Sequence, residues 1–214
     1  MYIESRIEDS LAELLKLRVQ GQPIVLCTKE FGKWRSHPEG VIVQQGNWIS
    51  LNGEKIIWIL LRYSSWDYHP EGFVTEWDRR LRVNGERFIC SLQESDVWVG
   101  HPRGILIKRG NRLLLNGNEL LYKGPWDGHY GWSPHPEGVV VRQGSKFFLN
   151  GEKVLYEDGL HCEAWAPHQE GIIVQRGDRI MLNGERVLYQ GRIEKWRSHP
   201  KGVVVQRDEK LLLY

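Results

Sequence analysis

The chain has 214 residues, enough for one ordinary domain with a substantial core. Its 29 basic and 27 acidic residues leave a formal charge of +2, which excludes nucleic-acid wrapping driven by bulk charge but not a local basic patch. With 26% charged and 41% hydrophobic residues the chain is too apolar to be disordered, and no apolar run reaches the ~18 residues that would cross a bilayer.

Residues 1–19 come first and read as a short amphipathic helix. Ser10-Leu11-Ala12-Glu13 is a capping box, and Ile7, Leu11, Leu14 and Leu15 form one apolar stripe. A helix this short does not stand alone in water, so it docks on its own domain or mediates oligomerisation. The opening MYIESRIEDSLAELL has acidic residues among its apolar ones and is not a secretory signal. Cys27, Cys90 and Cys162 are odd in number and lack metal-ligand spacing, which fits a reducing, cytoplasmic location.

Residues 20–214 are governed by a repeat. Trp34, Trp66, Trp98, Trp132, Trp165 and Trp196 are spaced by 32, 32, 34, 33 and 31 residues. Each is followed three residues later by a histidine (His37, His69, His101, His135, His168, His199) and three further on by a glycine. After each glycine comes an apolar run such as VIVQ or VVVR, the composition of a strand buried on both faces. A polar turn and a second apolar run lead to Asn-Gly at 52–53, 84–85, 116–117, 150–151 and 183–184, a strong type I′ hairpin signal. A third run follows, and a fourth strand carries the next Trp. Four short strands per ~32 residues, six times over, predict an all-β chain folded as a six-bladed β-propeller of four-stranded antiparallel blades.

The two ends of the chain complete one unit between them. Fifteen residues separate each of the first five repeat histidines from its Asn, and Tyr214 stands at that distance from His199. Gln20-Gly21-Gln22 takes the Asn-Gly-Glu place, with Ile24–Cys27 as the strand after it. The sixth blade is therefore expected to close from amino- and carboxy-terminal strands, leaving no exposed sheet edge. The meander does not say whether the closing blade is divided two and two or three and one. The Pro-x-Gly-apolar pattern resembles six-bladed propellers of the NHL, YWTD and SMP-30-like type and WG-repeat proteins. That resemblance implies architecture, with the apolar run after the glycine as the innermost strand, and carries no functional residues.

Features present in every blade are expected to be structural, because each blade solves the same packing problem. The tryptophans fill the space between sheets, and the histidines staple tight turns through nearby backbone groups. Six symmetry-related imidazoles sit too far apart for one ion, so no metal, no cofactor and no catalytic residue is expected. Glu39, Glu71, Glu137 and Glu170 recur in the His turns as solvated residues.

Function is expected where the repeats differ. In a meander the His turns and Asn-Gly turns share one face, so the other polar turns and the variable connections share the opposite one. That face gathers Trp48, Trp77, Arg79, Arg80, Arg109 and Arg112 from short turns, with Trp126, Asp127, His129, Tyr130 and His161 from the long connections. Aromatic and arginine residues of this kind compose protein-binding surfaces. The sequence therefore predicts a non-enzymatic scaffold for another protein. A multivalent carbohydrate-binding propeller with repeated Trp and His pockets is the alternative, and nucleic-acid contact through the arginine-rich turns a further one.

Overall fold

The computed structural model describes residues 24–27, 33–46, 48–52, 54–58, 65–124, 130–158 and 162–214. The helix expected over 1–19 lies outside them. The Asn-Gly turns close as their chemistry requires. Asn84 and Gly85 take φ of 52° and 77°, and the Glu86 N–H donates to the Val83 carbonyl at 3.0 Å. Two successive positive-φ residues with that bond make a type I′ turn, whose twist matches the strands it joins.

Hairpins of this kind assemble into six antiparallel sheets of four strands each. In blade 1 the order is Trp34–His37, Gly40–Gln45, Trp48–Leu51 and Glu54–Trp58, and blades 2 to 5 repeat it. The Trp strands, from Trp34–His37 round to Lys195–His199, contact one another in an unbroken circle. Blade 6 takes Lys195–His199, Gly202–Arg207 and Lys210–Leu213 from the carboxy-terminal part of the chain. Its outer strand is Ile24–Cys27, antiparallel to Lys210–Leu213 with Ile24 opposite Leu213. Closure is three strands plus one, so the variable connection is the one that crosses between blades.

This order corrects one expectation. The apolar run after the glycine is the second strand of each blade, and the Trp-x-x-His strand is the innermost. The physical reason is burial. The second strand is sandwiched between neighbouring sheets and is buried along its apolar length, as in Val41, Ile42 and Val43. The inner strand borders the propeller axis and carries polar residues there, such as Arg35 and Ser36.

The core is six clusters, one at each blade interface. Trp34 packs with Val41 and Val43 of its own blade and Val204, Leu211 and Leu213 of blade 6, and Trp66 with Phe73 and with Ile42 and Ile49 of blade 1. Trp34 and Trp66 are buried, and the other four repeat tryptophans are half-buried against equivalent clusters. Four of the six indole N–H groups donate backwards to the preceding blade: Trp34 to Gln206, Trp66 to Gln44, Trp98 to Glu76 and Trp196 to Gln175, at 2.6 to 3.1 Å. Lys108 and Arg142 occupy the corresponding positions facing Trp132 and Trp165, and neither side chain can accept a bond.

Candidate functional site

The face bearing the His and Asn-Gly turns is locked by its own side chains. Each repeat histidine accepts, at Nδ1, the N–H two residues on, at 2.9 to 3.2 Å. The proton therefore sits on Nε2, which reaches the next blade at the Gly138 carbonyl from His101 (2.7 Å) and the His168 carbonyl from His135 (3.2 Å). Burial lowers all six histidine pKa values, that of His199 to about 4. They are neutral turn staples.

The Asn of each Asn-Gly has a second task. Asn183 Oδ1 accepts the Ile172 N–H at 2.9 Å while Nδ2 donates to the Glu170 carbonyl at 3.2 Å, tying the His turn to the Asn-Gly turn. The same bracket holds blades 1 to 4. It demands glycine alongside: a Cβ on Gly171 would lie 2.1 Å from Asn183 Oδ1, at φ +140°. In blade 6 the Tyr214 backbone exchanges bonds with Val203 instead. The turn glutamates are exposed; Glu71 pairs with Arg87 and Glu170 with Arg186, and blade 3 swaps the signs in Arg103–Glu119. Among the described residues no group of three or more His, Cys, Asp or Glu is placed to hold a metal ion.

On the opposite face the structure sorts the sequence-predicted residues into two kinds. Arg109 is drawn inward, clasping Asp96 through Nη2 at 2.7 Å and Nε at 3.1 Å. The Asp96 side chain is fully buried; burial pushes its carboxyl up, but bonds from Arg109 and the Gln93 N–H hold it below the usual range. Arg176 likewise grips Asp158 and bonds the Tyr156 hydroxyl at 3.1 Å. These two arginines fasten a variable connection to its neighbouring turn. Trp77, Arg79, Arg80 and Arg112 stay outside and exposed, the Arg79 guanidinium lying 3.5 Å from the exposed Glu94, and Trp48 is half-buried. Tyr130 opens the inner strand of blade 4, and Trp126, Asp127, His129 and His161 lie outside the described residues.

A third place was not anticipated. All six inner strands border a cavity of about 460 Å³ on the propeller axis. Its wall is lopsided. Blades 1, 2 and 6 contribute Arg35, Asp67 and Arg197, whereas blades 3 to 5 contribute the small uncharged Val99, Ser133 and Ala166 at the same position. Arg35 Nε bonds Asp67 Oδ1 at 2.9 Å. The Arg197 guanidinium lies 5.5 Å from the Trp34 ring centre with Lys195 Nζ at 5.9 Å, and Lys33 covers Trp66 at 4.7 Å while donating to its carbonyl. The sequence did carry a signal: blades 6 and 1 share the hexapeptide Lys-Trp-Arg-Ser-His-Pro, at 33–38 and 195–200, and closure makes them neighbours.

No protein-family model and no curated protein matches the sequence.

Proposed function

We propose that the chain is a non-catalytic binding module of a reducing, cytoplasmic compartment, holding a protein partner on its variable face with Trp77 as the anchor and Arg79 and Arg80 beside it. The observation that carries this reading is the turn at 77–80. Trp77 is 45% exposed, the one tryptophan among the exposed large hydrophobics of the described residues. Beside it Asp78 and Arg79 take φ of 50° and 55°, where blades 3, 4 and 5 place a single positive-φ residue, Gly110, Gly144 or Gly177. Left-handed backbone costs a side chain such as arginine about 1 kcal/mol, and this two-residue hairpin turn keeps both side chains exposed where blades 3 to 5 use glycine. An open aromatic flanked by guanidiniums is the make-up of an interface anchor.

The non-catalytic part rests on what the reactive groups already do. The repeat imidazoles are engaged in turn bonds, and burial pushes the Cys90 and Cys162 thiols up, away from the thiolate a nucleophile needs. With Arg109 and Arg176 fastened to carboxylates, the arginine set open to a nucleic acid is smaller than the composition suggested. The indoles of Trp34 and Trp66 present no open face to a sugar.

The test is quantitative affinity capture with three baits: wild type, Trp77→Ala/Arg80→Ala, and a His-face control, Glu137→Ala/Glu152→Ala. One protein should be held by wild type and control and lost by about tenfold or more on the Trp77 variant, with unchanged melting temperature. Equal capture by all three baits rejects the reading. Capture abolished by nuclease and by modest salt replaces it with nucleic-acid binding.

A further inference from the structure

We propose that the axial cavity binds one small organic anion, with its charged head against Arg35 and Arg197, in the positive field that Lys33 and Lys195 reinforce from outside the cavity wall, and its apolar body against the wall of blades 3 to 5. The site is independent of the variable-face reading and stands on different residues.

The argument begins with an imbalance. Arg35, Arg197 and Lys33 all act on one carboxylate, Asp67, which Arg35 already holds at 2.9 Å, and Lys195 adds a fourth positive charge that acts on Arg197 and Arg35. Arg197 has no such partner: its Nε is buried without a hydrogen bond among the described residues, and its charge rests on the face of Trp34. A buried donor on a charged group is costly to leave unmade, so the arrangement calls for an acceptor that the protein itself does not supply. The cations also feel one another. Burial and then Arg35 push Lys33 down to about 8, and burial and then Arg35 lower Arg197 as well. A bound anion would offset the repulsion among these cations.

The rest of the cavity indicates what the anion is attached to. Its volume of about 460 Å³ is in the range of pockets that bury a small organic molecule. Away from the cations, blades 3 to 5 give an uncharged and largely apolar wall, with Val99, Pro134, Trp165, Ala166 and Pro167 around a single hydroxyl residue, Ser133. A bare inorganic ion would leave that wall against water. An anionic head on a flat or compact apolar body satisfies both sides.

The experiment is titration calorimetry on the intact chain with three probes: 1-naphthyl phosphate, inorganic phosphate and 1-naphthol. The ester should bind one per chain, and removal of either head or body should weaken binding by about tenfold or more. Arg197→Met should lower affinity for the ester by about tenfold while leaving the melting temperature equal or higher, because it removes a buried charge from a cationic cluster. Lys195→Met, at an exposed position, is the second variant and should weaken the ester without touching stability. No heat from the ester at millimolar concentration overturns the proposal. So does 1-naphthol binding as tightly as the ester, which removes the role of charge, or phosphate doing so, which removes the apolar wall. Equal affinity in both variants overturns it as well.

Discussion

Replacing Asn183 by glycine is the most informative single change to the scaffold. Glycine keeps the left-handed backbone, φ 51° at this position, without strain, so the substitution isolates the side chain. Two bonds are lost. The Ile172 N–H, beside a fully buried side chain, is left without its acceptor, and the Glu170 carbonyl loses a donor but remains near solvent. An unsatisfied buried donor costs about 1–3 kcal/mol and the exposed bond about 0.5–1, so Asn183→Gly should destabilise by roughly 2–3 kcal/mol. Asn183→Ala should cost about 1 kcal/mol more, because alanine is strained where glycine is not. Gly171→Ala supplies a cycle. On the wild-type background its Cβ meets Asn183 Oδ1 at 2.1 Å and expels the bracket, whereas on the glycine background only the backbone penalty at φ +140° remains. The two changes should therefore be strongly non-additive. Urea unfolding followed by tryptophan fluorescence measures all four proteins, with the slope checked for constancy. If Asn183→Gly lies within about 0.5 kcal/mol of wild type, or the cycle is additive, the bracket does not hold the blade and the account of this face is wrong.

Three further outcomes follow from the same geometry. The histidine pKa values are depressed in the folded ring, so the unfolded chain takes up protons first; stability should be full above pH ~6.5 and fall as pH drops towards about 4, His199 alone contributing roughly 3 kcal/mol. Thermal melts that stay flat between neutrality and pH ~5 would contradict neutral histidine staples. Trp66→Ala should cost ~3–5 kcal/mol, since it empties the interface of blades 1 and 2 and strands Gln44; a change felt only in ligand binding would make the tryptophans binding platforms instead. Arg109→Ala should lower stability by about 2–3 kcal/mol, less than for a fully enclosed pair because the guanidinium is partly exposed; Asp96→Asn in the same protein should recover much of the loss. Loss of partner capture with no loss of stability would return Arg109 to the binding surface.

Much of the fold was legible because it is written six times. The Trp-His-Gly phase, the Asn-Gly turns and the histidine staples are local devices, each decided within a dozen residues. What the sequence left open was the boundary between blades, since a meander of hairpins reads the same wherever it is cut. Identifying the most apolar strand with the innermost one failed for a physical reason. In this propeller the greatest burial lies between sheets, where Val41–Val43 and their equivalents sit, while the inner strands border an axial cavity and carry charged residues there in blades 1, 2 and 6. For the variable-face arginines, composition could not separate Arg109, whose carboxylate lies thirteen residues back across a connection, from Arg80, which pairs with no carboxylate among the described residues. Distinguishing a clasp from an anchor takes the partner's position.

The repeat also explains why the axial cluster escaped notice. A motif search rewards what is constant, and Arg35, Asp67, Val99, Ser133, Ala166 and Arg197 fill the variable place directly after each Trp. Symmetry makes the constant residues structural, because one packing problem recurs at every blade. The same symmetry makes the axis special: six copies of one variable position converge on a single cavity, so any inequality among them becomes a directional field there. Here the charged members belong to blades 6, 1 and 2, which are contiguous only because the ring closes with Ile24–Cys27 on Lys210–Leu213. An open array of the same strands would hold Lys33 and Arg35 far from Lys195 and Arg197. Closure thus does two things at once: it pairs Lys210–Leu213 with Ile24–Cys27 to complete the sixth blade, and it brings together a concentration of positive charge that neither set of strands has alone.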